Sequence, residues 1–308
     1  MVMQVYRKKR WYYFRLLALL FVMSSAGTGL VAFFMVKKFT SRPLYSPERV
    51  EQHAQNRKRL MTEFQAKSIA FYAADGVALS GLLIERANAT RVWLLCHGYR
   101  MAKERMLPFV EMFPNDTIFM FDYRAHGESA GNRVTYGHQE RQDVCAAAQF
   151  LQTHQATAAL PLFGLGISMG AVSLLGAACQ YPLFKGIVLD SPFARLDKQI
   201  ERMVVHRYNF PSFVFPRLGR SVFERELQFP ASLVDSCLWA AQVPMPVLLI
   251  HSHDDAVSFF ADALAVHDAV QSPKDFWAVP HCNHAHIFQN FPQEYAERVE
   301  QFIAQKVK

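Results

Sequence analysis

Apolar and polar residues alternate along the chain in blocks that have the lengths of strands and helices. From about residue 68, eight apolar runs have strand length: SIAFYA, VALSGLLI, VWLLC, TIFMFD, LPLFGLGI, GIVLD, PVLLIH and FWAVP. Segments with helical spacing separate or follow them: KERMLPFVEMF, HQERQDVCAAAQFLQ, MGAVSLLGAACQ, FFADALAVHDAV and EYAERVEQFIAQ. Continuous apolar strands alternating with amphipathic helices are typical of a largely parallel sheet covered on both faces, and a hairpin turning at Asp75-Gly76 should open it. The pattern predicts an α/β domain.

The N-terminal region has a different pattern. Residues 16–36 form an uncharged segment of 21 residues, LLALLFVMSSAGTGLVAFFMV. This length is sufficient for a helix that crosses the hydrocarbon layer, whereas the core of a signal peptide is usually shorter. We therefore expect a transmembrane anchor. Cleavage after Ala26 is the alternative, because Ser24-Ser25-Ala26 resembles a processing site, although apolar sequence continues beyond it.

The formal net charge of +7 reflects this anchor more than a nucleic-acid partner. Basic residues flank the segment on both sides: Arg7, Lys8, Lys9, Arg10 and Arg15 before it, and Lys37, Lys38 and Arg42 after it. Contact with lipid headgroups accounts for such charges, so no nucleic acid is expected. The balance favours a cytoplasmic N-terminus, with the catalytic domain on the opposite side of the membrane.

Composition along the chain suggests four regions. These are a basic flank at residues 1–15, the anchor at 16–36, a polar stalk at 37–66 and an α/β domain at 67–308. An insertion at about 197–241 is too long for a simple connection and carries interleaved aromatic and arginine residues, among them Phe213 and Phe215. The five cysteines are widely spaced and lack a CxxC pair, so we expect free thiols.

The stretch GISMG places Ser168 where a strand ends and a helix begins. So sharp a turn holds the serine in a strained conformation and brings Gly166 close to Gly170, where side chains would clash. The helix that follows directs its N-terminal N–H groups at the position where an oxyanion would form. The motif therefore indicates a nucleophilic serine.

A serine nucleophile needs a base and a carboxylate that orients the base, and both types of residue follow later strands. Asp254 and Asp255 come after PVLLIH, while His281, His284 and His286 come after FWAVP. Loops after successive parallel strands converge at one edge of a sheet, so these side chains are expected near Ser168.

From about Lys67 to its end, the chain resembles a serine hydrolase of the α/β-hydrolase fold, most similar to its membrane-anchored, lysophospholipase-like or serine-aminopeptidase-like branch. The resemblance rests on five motifs in order: LLCHGY, FDYRAHGES, GISMG, IVLDSPF and LLIHSHDDAV. It implies a lid at the insertion and a catalytic set of Ser168, Asp255 and His284. Backbone N–H groups of Met169 and Tyr99 would form the oxyanion hole.

Several alternatives remain within this resemblance. Asp254 is the alternative acid, with Asp190 as a further one, and His286 and His281 remain open beside His284. The sequence also departs from the family, having HCNHAH after the last strand and Ser252 and Ala125 where glycine is usual. Neither substitution removes a catalytic group.

The expected function is hydrolysis of an ester or thioester, preferably lipid-like, through an acyl-enzyme and without a cofactor. A peptidase is the alternative within the enzyme class, since the same triad cleaves amides. A non-catalytic scaffold that uses its lid as a partner surface is the alternative outside it. HSHDD and HCNHAH are rich in the residue types that bind zinc, which makes zinc catalysis a further alternative. Ala256 stands where the HxHxDH pattern needs histidine, so no metal is expected.

Overall fold

The computed structural model describes residues 13–15, 20, 25–208 and 215–307. Within these ranges one eight-stranded sheet has the order β1-β2-β4-β3-β5-β6-β7-β8. The strands are β1 (Lys67–Tyr72), β2 (Ala78–Ile84), β3 (Val92–Cys96), β4 (Thr117–Phe121), β5 (Leu162–Ile167), β6 (Gly186–Asp190), β7 (Val247–Ser252) and β8 (Lys274–Val279). β2 pairs antiparallel with β1 and β4, and all other neighbours are parallel. The mostly parallel sheet with an opening hairpin is therefore confirmed.

Two of the described helices precede β1, and the others connect the parallel strands or follow the last of them. In the described ranges they are α1 (Ser25–Thr40), α2 (Pro47–Thr62), α3 (Leu107–Met112), α4 (Glu140–Thr153), α5 (Met169–Gln180), α6 (Leu196–Tyr208), α7 (Phe215–Leu227), α8 (Ser236–Ala240), α9 (Phe260–Ala269), α10 (Ile287–Asn290) and α11 (Pro292–Lys306). Short 3₁₀ turns occur at Lys103–Met106 and Ala231–Leu233.

The central strands are apolar on both sides because both faces of the sheet are covered. On one face Trp93 and Leu95 of β3 join a buried cluster with Leu60 of α2, Phe109 of α3 and Tyr295 of α11. On the other face α4 and α5 pack against the sheet and against each other. Continuous apolar runs are expected for strands buried on both faces, and this burial supplies most of the hydrophobic stabilisation.

The chain divides into two compact units. The smaller contains the described residues of 1–40 together with 200–208 and 215–230, and the larger contains 41–199 and 231–307. Within the smaller unit α1 packs against α7, and Lys37 Nζ donates to Glu226 Oε1 at 2.5 Å. Phe223 of α7 is buried and contacts the ring of Phe229. These two insertion aromatics therefore serve as packing residues.

The expected anchor finds no support in the structure. Among the described residues, no helix combines the length and the apolar character that crossing a bilayer requires. Residues 16–19 and 21–24 of the expected segment lie outside the described ranges, as does Phe213 of the expected lid. The anchor remains a prediction.

The segment expected to be a stalk contains α2, which packs within the larger unit. Leu60 is fully buried, and Asn56 Nδ2 donates to the carbonyl of Glu104 at 2.9 Å. Arg57 forms ion pairs with Glu104 at 3.1 Å and Glu128 at 2.8 Å. Most of these contacts are polar, which is why the composition of the segment resembles that of a linker.

Candidate active site

Ser168 lies in a sharp turn between β5 and α5. Its backbone has φ 53° and ψ −116°, a conformation that non-glycine residues rarely adopt. A Cβ at Gly166 would lie 2.5 Å from the carbonyl oxygen of Gly170, and a Cβ at Gly170 would lie 2.1 Å from that of Cys96. Both positions therefore require glycine: Gly166 for the steric reason that the sequence motif suggested, and Gly170 because the end of β3 lies against it.

His284 connects the serine to a carboxylate. Its Nε2 lies 2.9 Å from Ser168 Oγ, and its Nδ1 lies 2.6 Å from Asp255 Oδ2. An ionised carboxylate only accepts hydrogen bonds, so Nδ1 carries the donated proton and Nε2 is left to accept from the serine hydroxyl. The Asp255 side chain is fully buried, and that of His284 is 19% exposed. The structure thus brings together the three residues that the sequence singled out first.

The Asp255 carboxylate is held from several directions. Its Oδ1 accepts the backbone N–H groups of Val257 and Ser258, each at 2.8 Å. His251 lies on its other side, with Nε2 3.5 Å from Asp255 Oδ2 and 2.8 Å from the carbonyl oxygen of Ser258. Burial lowers the pKa of His251, which keeps this imidazole neutral. Backbone donors therefore orient Asp255 towards His284.

Ser252 links the loop that carries the acid to the loop that carries the base. Its hydroxyl is buried and donates to the carbonyl of Cys282 at 2.6 Å. The same oxygen accepts the N–H groups of Asp254 and Cys282, each at 3.2 Å. The sequence showed Ser252 only as a departure from a usual glycine, and its linking role was missed because both partners are backbone groups.

The alternative acids and histidines have other partners. Asp254 accepts the N–H of His281 at 2.9 Å and lies 3.1 Å from its Nδ1, in a pair whose histidine side chain is 92% exposed. Asp190 Oδ1 accepts from Ser191 Oγ at 2.8 Å, and burial raises the pKa of Asp190 to about 6. His286 lines the cavity beside the serine, but His284 is the histidine that reaches Ser168 Oγ.

The two residues expected to donate backbone N–H groups lie on either side of the serine. Met169 is the first residue of α5, where an N–H has no acceptor within the helix. Tyr99 lines the cavity that contains Ser168. Behind it, His97 Nε2 accepts the N–H of Tyr123 at 3.2 Å and His126 Nε2 lies 3.4 Å from the N–H of Arg100.

The buried histidines stabilise this loop rather than reacting. Burial lowers the pKa of His97 and that of His126, the latter to about 4, so both stay neutral and can accept hydrogen bonds. His97 Nδ1 in turn donates to the carbonyl oxygen of Gly98 at 2.8 Å. Both histidines therefore have structural roles in this loop.

Ser168 and His284 open into a cavity of about 380 Å³. Part of its wall comes from α2, through Arg49, Gln52 and His53, and part from Arg100 and Arg105. The described residues that line it include no carboxylate. The sequence missed this wall, because α2 lies more than 100 positions before Ser168 and shows no catalytic motif.

The residues of the zinc-like motifs HSHDD and HCNHAH make other contacts. His251 bonds to Ser258, Asp254 to His281, and Asp255 to His284. Across the described ranges, no group of three or more histidine, cysteine, aspartate or glutamate side chains has a metal-binding arrangement.

Known proteins with similar sequences include hydrolase-domain proteins and uncharacterized proteins. Residues 87–229 match the family model described as serine aminopeptidase, S33. Over 244 residues, the chain is 26% identical to the uncharacterized protein YqkD of Bacillus subtilis, covering 75% of this chain and 77% of that one. It is 24% identical to human alpha/beta hydrolase domain-containing protein 17B over 223 residues, covering 71% of this chain and 68% of the relative.

Solved structures agree on the architecture. The Pyrococcus furiosus esterase Pf2001 superimposes with a TM-score of 0.66 at 21% identity, covering 86% of this chain and 98% of the esterase. Pyrococcus horikoshii acylaminoacyl peptidase gives a TM-score of 0.58 at 18% identity, covering 79% of this chain and 42% of the peptidase. With the sheet order and the serine turn, these similarities show that the chain has the α/β-hydrolase fold.

Proposed function

We propose that this protein is a serine hydrolase that cleaves a carboxylic ester or thioester. The observation that supports this most strongly is the hydrogen-bonded series Ser168–His284–Asp255, with distances of 2.9 and 2.6 Å, at the wall of an open cavity. The similarity to esterases of the same fold agrees with this reaction.

Acylation would begin when Ser168 Oγ attacks the carbonyl carbon of the substrate. His284 Nε2 takes the hydroxyl proton as the new bond forms, and Asp255 stabilises the resulting imidazolium through Nδ1. The negative charge on the former carbonyl oxygen faces the N–H groups of Met169 and Tyr99, and loss of one such donor typically costs about 3 kcal/mol of transition-state stabilisation. His284 then protonates the leaving alcohol or thiol.

Deacylation repeats these steps with water as the nucleophile. His284 Nε2 removes a proton from water, the hydroxide attacks the acyl-enzyme carbonyl, and the proton returns to Ser168 Oγ as the acid product leaves. The sum is hydrolysis of one ester or thioester bond, with Ser168 regenerated.

A peptidase is the second candidate, because the matching family model is described as a serine aminopeptidase. An aminopeptidase must hold the free ammonium group of its substrate, and a carboxylate is the usual partner for a buried ammonium. The described lining of the cavity has three arginines and no carboxylate. Such a lining repels an ammonium group, so the ester or thioester reaction is favoured.

We further propose a membrane-anchored enzyme with a lipid-like acyl substrate. This rests on the uncharged segment at residues 16–36, which would keep the cavity near a bilayer. Proximity to the bilayer raises the local concentration of lipid esters.

The first prediction tests the nucleophile. Ser168→Ala should abolish labelling by a fluorophosphonate and lower ester turnover by roughly four orders of magnitude or more, because the attacking oxygen is lost. The melting temperature should not fall, since alanine keeps the Cβ of the serine and so preserves the packing around the turn. Labelling is read by gel fluorescence and turnover by release of para-nitrophenolate. Persistent labelling of this variant would exclude Ser168 as the nucleophile.

A further inference from the structure

Three arginine side chains reach the cavity that contains Ser168. Arg49 Nη1 donates to the carbonyl oxygen of Arg100 at 3.3 Å, and Arg100 Nη2 donates to that of Leu44 at 3.3 Å. Arg105 Nη1 donates to Gln52 Oε1 at 2.6 Å. All of these acceptors are neutral, and none of the three arginines forms an ion pair with a carboxylate of the described residues.

Other cations nearby are arranged differently. Arg57 of α2 pairs with Glu104 and Glu128. Arg59 of the same helix pairs with Glu63 at 2.9 Å and Glu111 at 2.8 Å. These side chains neutralise neighbouring carboxylates. The cavity arginines instead leave positive charge facing the space in front of the nucleophile.

The positive charges of the cavity also act on one another. Arg105 has a lowered pKa, first because it is partly buried and second because Arg49 is close. His53, which lines the same wall, has its pKa lowered by burial and then by Arg105. Arg49 is exposed, whereas Arg100 and Arg105 are partly buried, and like charges held close together repel one another unless an anion offsets them.

We propose that this cavity is an anion-binding subsite, and that the enzyme prefers esters carrying a carboxylate or phosphate near the scissile bond. The proposal rests on the hydrolase function proposed above and names the substrate class for that same site. Guanidinium groups suit this role, because each presents several fixed donors that match planar carboxylates and phosphates. Arg49 and Arg105 are the residues assigned to hold the anion.

Two matched pairs of esters test the proposal with the full chain in detergent. The first pair is the para-nitrophenyl monoester of suberic acid and its uncharged methyl diester, which differ in charge on the acyl side. The second is an acylglycerol phosphate and the corresponding acylglycerol, which differ in charge on the alcohol side. The measured quantity is the ratio of kcat/KM for the anionic ester to that for the neutral one.

We expect a ratio of about ten or more for at least one pair, because one charge-assisted hydrogen bond to the substrate typically changes an equilibrium or rate constant by about this factor. Arg105→Gln and Arg49→Gln should each lower the ratio about tenfold, mainly through KM, while Arg105→Lys should keep part of it. Arg59→Gln is the matched control on α2 and should keep the ratio. A preference for the neutral esters, or an unchanged ratio in both glutamine variants, would overturn the proposal.

Binding separates this proposal from the proposed function. In the Ser168→Ala protein, calorimetry should detect binding of the suberate monoester. The double variant that also carries Arg105→Gln should bind it about tenfold more weakly. If no ester is hydrolysed and the fluorophosphonate does not react, the hydrolase function fails and this binding result alone decides on the subsite. Equal binding of the monoester and the methyl diester would refute the subsite whatever the activity.

Discussion

At the scale of single residues, one hydrogen bond distinguishes His284 from its neighbours in HCNHAH. Only a histidine whose Nδ1 donates to a buried carboxylate keeps Nε2 free to accept the serine proton. His284 meets this condition through Asp255, at 2.6 Å. His281 has a carboxylate partner too, but that pair lies in solvent, where it contributes little.

His284→Ala should therefore lower kcat by roughly four orders of magnitude, as loss of a triad base generally does. His281→Ala, the matched control from the exposed pair, should leave kcat nearly unchanged. Turnover of a soluble para-nitrophenyl ester measures both. If His286→Ala proved as damaging as the change at His284, the histidine assignment would have to move to His286.

Ser252 gives a test of positioning. Ser252→Ala leaves the carbonyl of Cys282 and the N–H of Asp254 without their buried partner, which should cost about 1–3 kcal/mol of unfolding free energy. The loops that carry Asp255 and His284 should also loosen, so kcat should fall at unchanged KM.

The control for this change is Ser272→Ala. Ser272 Oγ also donates to a single carbonyl, that of Met245 at 2.7 Å, next to the opposite end of β7. It should affect stability without lowering kcat. Urea unfolding and steady-state kinetics on both variants give the comparison, and a normal kcat in the Ser252 variant would contradict a positioning role.

At the scale of elements, α2 is held to the sheet domain by a charged cluster beside the cavity wall that it supplies. Lys103 Nζ, fully buried, donates to Asp122 at 2.5 Å and to Glu128 at 2.8 Å, and Arg57 of α2 pairs with the same Glu128. Burial works against ionisation of Glu128, but Lys103 and Arg57 outweigh it and hold the pKa of Glu128 at about 2. The ionised form of this carboxylate is therefore stabilised by folding.

The pH dependence of Glu128→Gln follows from that pKa. A carboxylate whose pKa is lower in the folded state stabilises the folded state at pH values above the ordinary pKa of the group. This contribution disappears as the pH falls towards the folded-state pKa of about 2. Because the side chain is half exposed, we expect the variant to be less stable by only about 1 kcal/mol near neutral pH. The difference should shrink below a pH of about 4.5.

Urea unfolding of both proteins between about pH 7 and pH 3 measures this difference. Glu63→Gln is the control, since Glu63 directly follows α2 and pairs with Arg59 on its exposed surface, so its loss should matter little. A difference that stays constant down to the lowest pH would show that Glu128 acts through packing rather than charge.

At the scale of the whole molecule, the uncharged segment at residues 16–36 predicts attachment to a membrane. If residues 16–36 span the bilayer, the full chain should stay in the membrane pellet after carbonate extraction and be released only by detergent, because about 20 buried apolar residues are not displaced by high pH. A chain beginning at Ser41, where the larger unit starts, is the control and should be found in the supernatant. Release of the full chain by carbonate would exclude a transmembrane anchor.

Local patterns were sufficient for much of the fold. All eight strands were predictable from the sequence because apolar runs of this length, bounded by turn residues and separated by helices, pack in few other ways. The serine turn was predictable because Gly166 is required by contacts with Gly170 and Ala171, only four and five positions away, although the contact that requires Gly170 comes from Cys96 at the end of β3. The acid and histidine loops were predictable for a related reason, since chain order alone brings them to one edge of the sheet.

Other features depended on contacts between distant parts of the chain. Neither the packing of α2 beside the nucleophile nor the link through Ser252 leaves a periodic signal, because each depends on polar contacts between residues tens of positions apart. The same holds for the arginines of the cavity, because the sequence alone does not show which arginines form ion pairs with carboxylates. The amino-acid sequence by itself therefore determined the sheet, the turn and the types of reacting groups, since these follow from local periodicity and sterics. The tertiary structure decided which histidine meets Ser168 and what charge faces the substrate, because both depend on long-range packing.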